Sequence, residues 1–403
     1  MSFDLIVICI AIILATPVLV ISFELLIALF YKNPVITDQK VSDLRGTYTI
    51  LIPAHNEAGI IGKTISCLLQ QSVPPASILV VADNCTDATA EVAKGLDVTV
   101  LERVNDSQRG KGFALDYGIT FLKEHQRPDV LIIFDADCEI DAGSLSVLVN
   151  SCIQNKRPTQ ALYLMRHHVG KSLKQSVAGF AWLVKNKIRP LAVNKLSLPV
   201  TLTGTGMAFP WHVIADVNVA HGNLVEDMQL GIDCTLNGFP PVFCEYAVVY
   251  SDFPEQIEAE KTQRTRWEHG HLMTIGQQVP RLIKQAVCRK DWRLLGLALD
   301  IGVPPVSLLV MFSTVGLFLL AGYSYVTESA GVFTLFLMIF LFFAGVLLAT
   351  WWRYGREYLT IKELYGIPRY VFSKVSIYIA FIFKRQKSWV KTAREIKPNK
   401  HDE

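Results

Sequence analysis

Residues 130–137 read Val130-Leu131-Ile132-Ile133-Phe134-Asp135-Ala136-Asp137. A short, unbroken apolar run of this kind predicts a strand buried on both faces. It ends in two carboxylates one residue apart. Side chains alternate across a strand, so Asp135 and Asp137 are expected to leave the strand end on the same side. Two chemistries fit that placement. The pair can be a polar strand end leading into the next helix, a role open to Asp141 as well. It can also hold a hard divalent cation, which in turn holds a diphosphate.

Working outward, the chain alternates strand and helix patterns from residue 47 to about residue 166. Residues 48–52, 78–82 and 98–101 predict three further strands, the first closed by Pro53. Between them, residues 58–71 carry Ile61, Ile65, Leu68 and Leu69 on one helical face. Residues 86–94 read as a second helix. Residues 112–125 read as a third, with Ala114, Leu115, Ile119 and Leu122 at core spacing. Continuous apolar strands with helical crossovers imply an α/β domain with a mostly parallel sheet covered on both faces. Ligands of such sheets sit beyond the carboxyl ends of the strands. The polar residues follow that rule: His55, Asn56 and Glu57 after the first strand, Asp83 and Asn84 after the second, Asp135 and Asp137 after the fourth. Residues 160–249 are less regular and end in a strand-like stretch at 241–249. Residues 255–274 form a charged helical stretch.

Further groups bear chemistry, each with a plainer alternative. Asp83 can accept from a base N–H or a ribose hydroxyl, or cap the next helix, although Thr86 is the better-placed cap. Lys111, flanked by Gly110 and Gly112, can meet a phosphate, or lie in a solvated flexible loop. Glu226-Asp227 can be acidic residues favoured in a first helical turn, or a general base (Asp227) with its orienting neighbour (Glu226). Gln263, Arg266 and Trp267 share one helical face, offering an amide, a guanidinium and an indole to a diphosphate and a sugar ring. A surface helix with one buried Trp is the alternative. His269 and His271 follow and are expected to make ordinary polar contacts.

The ends of the chain are different in kind. Of 403 residues, 51% are hydrophobic, and the mean hydropathy of +0.32 is high for a soluble protein. Residues 3–31 are apolar apart from Asp4 and Glu24. As a helix they would reach about 40 Å, enough for a hydrocarbon core of about 30 Å. The segment lacks a basic start and a small-x-small cleavage site, so it reads as an anchor and not a signal peptide. Two more apolar runs occupy residues 301–323 and 332–352. Lys32, Lys40 and Arg45 follow the first span, Arg281, Lys284, Arg289, Lys290 and Arg293 precede the second, and Arg353 and Arg356 follow the third. By the positive-inside rule the central region is cytoplasmic. The C-terminal tail, with Lys384, Arg385 and Lys387, is expected on the same side. Residues 369–383, apolar but cut by Lys374, are expected to form an interfacial helix, and residues 388–392 a cytoplasmic interface segment. The predicted organisation is an anchor (1–32), an α/β domain (45–280) and a C-terminal membrane region (281–403). The expected location is the plasma (inner) membrane. A net charge of +3 gives no sign of nucleic-acid binding, and the basic flanks suit the lipid bilayer. The eight cysteines form no Cys-x-x-Cys pair, which argues against a zinc site or a disulfide framework. No motif sets an oligomeric state.

Asp83, Asp135-Ala136-Asp137, Glu226-Asp227 and Gln263-x-x-Arg266-Trp267, in that order and between apolar segments, resemble the motif set of family 2 glycosyltransferases. The likeness is to the membrane-bound branch that includes cellulose, chitin, hyaluronan and Nod-factor chitooligosaccharide synthases. It covers residues 48–272. It implies a GT-A fold, a nucleotide-sugar donor (UDP-linked in the expectation here), Mg2+ or Mn2+, and inversion at the anomeric carbon. Carried over by position, Pro53 to Glu57 and Asp83 would bind the nucleotide, Asp135 the donor's sugar and ribose side as well as the metal, and Asp137 the metal. Gly204-Thr205-Gly206 would line the acceptor pocket and Asp227 would be the base. Gln263, Arg266 and Trp267 would grip the diphosphate, with Trp267 also against the acceptor. The chain departs from the processive enzymes in its three spans and in a loop, residues 204–206, that lacks their cysteine. The expected activity is transfer of a sugar to a glycan acceptor in surface polysaccharide synthesis. Single addition to a membrane lipid, or a non-catalytic nucleotide-sugar binder acting as a scaffold, are the other readings.

Overall fold

The computed structural model describes residues 3–32, 46–166, 172–220, 225–253 and 257–383. Lys40, Arg45, the basic tail from Lys384 to Lys387 and the segment 388–392 lie outside the described residues. Two compact units emerge. One gathers the described residues of Met1–Pro34, His167–Pro199 and His271–Arg385, the other those of Val35–Arg166 and Val200–Gly270. Residues 172–199, which lie within the 45–280 stretch, therefore group with the apolar helices.

The second of these units is α/β. Its strands are β1 (Tyr48–Ala54), β2 (Ile78–Asp83), β3 (Thr99–Arg103), β4 (Val130–Ile133), β5 (Glu139–Ile140), β6 (Thr159–Met165), β7 (Met207–Pro210) and β8 (Val242–Ser251). They form one eight-stranded sheet in the order β3-β2-β1-β4-β7-β6-β8-β5. β3, β2, β1 and β4 run parallel; β1, β2 and β4 are buried on both faces, as parallel strands inside a sheet are, and β3 is the partly exposed edge. β7 is antiparallel to both β4 and β6, and β6 pairs parallel with β8. The fold is a mostly parallel GT-A-like sheet with helices on its faces.

The core follows from the apolar patterns. Leu51, Val81, Leu131, Ile133 and Phe209 from the sheet pack with Leu115, Ile119 and Leu122 of the helix Lys111–Glu124. Gly118 sits where that helix lies closest to the sheet: an added Cβ would come within 2.5 Å of Leu51 Cδ1 and 3.2 Å of Val81 Cγ2.

Three local expectations are corrected. Lys111 does not lie in a flexible loop; it is the first residue of a helix, preceded by Gly110 at φ +125°. The helix expected over 86–94 spans Thr89–Lys94, and Asp87, not Thr86, accepts the N–H of Thr89 at its start (3.1 Å). Strand pairing in β4 stops at Ile133, so Asp135 and Asp137 lie in a turn beyond it and not on an alternating strand. A helix over Ser144–Asn155 and strand β6 add regular structure that the apolar periodicity alone did not reveal.

Among the described residues, the other unit holds three helices long and apolar enough to cross a membrane, Asp4–Leu29, Val306–Thr327 and Gly331–Gly355, which marks the chain as membrane-associated. The second begins at Val306 and not at Ile301 because Pro304 and Pro305 precede it. Both charges in the first helix are paired. Asp4 accepts from the Tyr323 hydroxyl at 2.6 Å. Glu24 accepts from Arg189 Nε at 2.5 Å, and Arg189 also meets Asp300 at 2.6 Å. Lys374 divides the last apolar stretch into Ile367–Ser373 and Val375–Phe383, each too short to span a bilayer.

Gly118→Val should lower stability. Overpacking of a filled core costs about 1–3 kcal/mol, more than the helix propensity of Val over Gly returns. A lower midpoint of thermal unfolding for the detergent-solubilised protein is the expected result; an unchanged or higher midpoint would contradict the packing described.

Candidate active site

The carboxyl ends of β2, β1 and β4 lie side by side in the sheet, and each carries a polar group. Pro53 and Glu57 lie at and beyond the end of β1. Asp83 closes β2. Asp135 and Asp137 follow β4. From the antiparallel β7 comes a further contribution. Ile133 pairs with Met207, so the loop Gly204-Thr205-Gly206 before β7 meets the turn after β4. The Asp135 N–H donates to Thr205 Oγ1 at 3.0 Å. Gly204 and Gly206 have φ of +92° and +62°, backbone that glycine adopts without strain. A Cβ on Gly206 would approach Ala161 Cβ and Val249 Cγ2 to 2.9 Å, so a larger residue would displace the loop.

Lys111 lies at the centre. Its Nζ donates to Asp135 Oδ1 at 2.5 Å and to the Gly204 carbonyl at 2.6 Å, and stands 3.7 Å from Glu226 Oε1. Burial disfavours the ammonium, but Asp135, Glu226 and Asp227 more than offset it and hold Lys111 charged well above the ordinary lysine range. Gly204 is equally central: a Cβ there would lie 3.4 Å from Asp227 Oδ2 and 3.8 Å from Asp135 Oδ2. Glu226 and Asp227 open the helix Glu226–Leu236, with Asp227 Oδ1 accepting from the Met228 N–H at 2.8 Å. Burial raises the Glu226 carboxyl to about 7; Lys111 and Arg266 pull it down, and Asp227 pushes it up.

Asp135, Asp137 and Cys138 offer ligand atoms within 4.8 Å of one another. The Cys138 thiol is buried, and burial together with Asp137 and Asp135 raises it well above the usual thiol range. It therefore stays a neutral S–H, directed at Asp137 Oδ1 at 3.6 Å. The two carboxylates remain as oxygen donors, a set that fits a hard divalent cation whose other positions go to water and phosphate. Ser251 Oγ also reaches Asp137 Oδ2, at 3.4 Å.

Gln263, Arg266 and Trp267 lie on the long helix Ile257–Arg289. Gln263 is buried, and Arg266 and Trp267 are half-buried. Arg266 acts electrostatically on Glu226, and its buried Nε has no hydrogen-bond acceptor among the described residues. An anion placed there would satisfy it. His269 is buried. His271 belongs to the other unit, where its Nε2 lies 3.0 Å from the Ile301 carbonyl; burial first, then the charge of Lys185, lowers its pKa to about 4.

Asp83 is not an open carboxylate. Arg103, at the end of β3 and in register with it, donates to Asp83 Oδ1 at 2.6 Å. Arg103 and Ser251 contact Asp83 and Asp137 and lie outside the motif set. The signal for Arg103 was a charged pair, Glu102-Arg103, at the carboxyl end of a strand expected to stop at Leu101. Thr205, expected in the acceptor loop, anchors the Asp135 backbone through its hydroxyl. Nothing in the local pattern marks Ser251.

Comparison with known proteins bears on the family and the fold. The family described as Glycosyltransferase like family 2 matches residues 45–270, more than half the chain. The chain is 26% identical over 358 residues to the 4,4'-diaponeurosporenoate glycosyltransferase of Staphylococcus aureus strain bovine RF122 / ET3-1, covering 78% of this chain and 89% of that one. A protein of the same name from strain MRSA252 aligns to the same extent. The solved structure of the mannosyltransferase PcManGT from Pyrobaculum calidifontis, in complex with GDP-Man and Mn2+, matches with a TM-score of 0.51 at 15% identity, covering 88% of this chain and 100% of that one. At that identity the likeness bears on the fold, which it supports as GT-A. The family match extends from just before β1 to the middle of the helix that carries Arg266, and on it the chain belongs to glycosyltransferase family 2 and is a glycosyltransferase.

Proposed function

We propose that the protein transfers one sugar, with inversion, from a nucleotide-sugar donor to a lipid acceptor at a membrane. The observation that carries the chemistry is the cluster in which Lys111 holds Asp135, Glu226 and the Gly204 carbonyl together beside Asp227. It draws groups from four separate segments to one point at the carboxyl edge of the sheet. The lipid acceptor is favoured by the relatives that align over 89% of their length and are named 4,4'-diaponeurosporenoate glycosyltransferases. Three apolar helices in the same chain agree with it. Surface polysaccharide synthesis, the expectation drawn from the processive branch, has no such support. The distribution of Lys and Arg favours a cytoplasmic catalytic unit at the plasma membrane.

In this reading Pro53, Glu57 and Asp83 take the nucleotide and Asp135 the sugar and ribose side of the donor. Asp135 and Asp137 hold Mg2+ or Mn2+, which when bound supplies positive charge for the departing diphosphate. Arg266, with its unsatisfied Nε, and Gln263 bind the diphosphate oxygens. Trp267 and the loop 204–206 form the acceptor wall. Asp227 accepts the proton of the attacking acceptor hydroxyl as the anomeric bond breaks on the opposite side. Glu226 and Lys111 fix the charge around it. No covalent enzyme intermediate is required.

The purified full-length protein, given Mn2+, a panel of labelled nucleotide sugars and a membrane-lipid extract, should yield lipid carrying one added hexose by mass analysis. A ladder of products would overturn the single-addition reading. Asp137→Ala should abolish metal-dependent turnover. Asp227→Asn should reduce transfer about 100-fold or more while leaving nucleotide binding intact; full activity in either variant would remove the assigned role.

The position of Glu226 predicts a pH dependence. Its carboxyl, raised to about 7, is neutral below that pH and ionised above it. Transfer should rise as pH increases through about 7, when ionised Glu226 takes up its pairing with Lys111. Glu226→Gln should flatten that limb of the pH–rate profile. The same raised carboxyl makes the native state bind more protons than the unfolded one, so its contribution to stability falls as pH rises from about 4.5 to about 7.

A further inference from the structure

We propose that Arg103 selects the nucleotide base: by occupying one oxygen of Asp83 it leaves a single acceptor, which favours a uridine diphosphate donor over a guanosine one. The inference rests on the reading of Asp83 as the carboxylate that meets the base.

Asp83 and Arg103 close adjacent parallel strands in register, and their side chains are only 8% and 9% exposed. Two donors fall on the same oxygen. Arg103 Nη1 reaches Asp83 Oδ1 at 2.6 Å, and Asn84 Nδ2 reaches it at 3.1 Å. Both donors are held from behind. Arg103 Nη1 also donates to the Gln108 carbonyl at 2.9 Å, and Nη2 to Gln108 Oε1 at 3.3 Å. The guanidinium lies 5.9 Å from the centroid of the Phe113 ring. Asn84 Oδ1 accepts the Asn105 N–H at 2.8 Å, which turns its amide nitrogen toward Asp83. Among the described residues no donor reaches Asp83 Oδ2.

The consequence is a matter of edges. Guanine presents N1–H and N2–H2 side by side, and an unencumbered carboxylate can accept both. Uracil presents one N–H, at N3, between two carbonyl oxygens. It requires one acceptor, and a second bare carboxylate oxygen would face a carbonyl and repel it. Here that second oxygen is covered by N–H groups of Arg103 and Asn84, so the site offers an acceptor beside donors. A guanine would set one of its N–H groups against those donors with no acceptor in reach, and a buried polar group left unpaired is what gives a binding site its power of rejection.

Calorimetric titration of the full-length protein in detergent with Mn2+ tests this, using UDP and GDP as the probes. The wild type should bind UDP about tenfold or more tightly than GDP. Arg103→Met uncovers Oδ1 and should bring the two affinities within about threefold, with GDP gaining. Should Arg103→Met fail to fold, Asn84→Gly is the second variant. It removes the other donor at a residue with φ of 51°, which glycine tolerates, and should move the ratio the same way. Equal binding or a GDP preference in the wild type, or an unchanged ratio in a folded variant, overturns the proposal. Asp137→Ala separates this from the larger reading. If nucleotide binding depends on Asp137 but ignores the base, only the role of Arg103 falls. If binding is indifferent to Asp137, or neither nucleotide binds, the site assignment falls with it.

Discussion

One ammonium group organises the site. Lys111 is held by Asp135 and the Gly204 carbonyl and stands beside Glu226. These groups come from the turn after β4, the loop before β7 and the start of the helix Glu226–Leu236. Without a cation among them the carboxylates of Asp135, Glu226 and Asp227 would repel each other in a partly desolvated pocket. Even with Lys111 the acidic charge among the described residues is in excess, since Asp137 lies close to Asp135 in the same turn and Arg266 adds one further positive charge. The raised carboxyl of Glu226 is a sign of burial, to which Asp227 adds and which Lys111 and Arg266 oppose. A site with spare negative charge and oxygen ligands is suited to a divalent cation and, through it, to a diphosphate.

Sheet topology decides which residues meet. Parallel strands β2, β1 and β4 deliver their acidic ends to a common edge. The reversal at β7 is what brings the glycine loop to the same edge, because a strand antiparallel to β4 begins where β4 ends. The hydrogen bond from Asp135 N–H to Thr205 then ties the two segments. The glycines serve the same approach: Gly118 lets the Lys111 helix lie close on β1 and β2, and Gly206 lets the loop pass against Ala161 and Val249.

Much of the frame was legible. The four parallel strands, the helix whose core face carries Ala114, Leu115 and Ile119, and the three apolar spans all follow from runs and periodicities that are local properties of the chain. The acidic pair after the fourth strand and the Glu226-Asp227 helix start were legible as carboxylates at element ends, and the structure brings Asp135, Glu226 and Asp227 together around Lys111. The bounds were less so. The expected strand at 98–101 runs on to Arg103, and that extension places the guanidinium on Asp83. Lys111 read as a loop residue because two glycines flank it, whereas Gly110 only sets the turn into a helix whose apolar face is fixed by the core.

The sequence alone determined the four parallel strands, which helices can cross a bilayer, and which carboxylates end an apolar run, because each depends on residues close together in the chain. Tertiary structure decided the partners: Arg103 for Asp83, Lys111 for Asp135 and Glu226, Arg189 for Glu24. Those pairs join residues from 20 to 165 positions apart, and only the order and direction of the strands and the packing of the helices bring such charges within bonding distance.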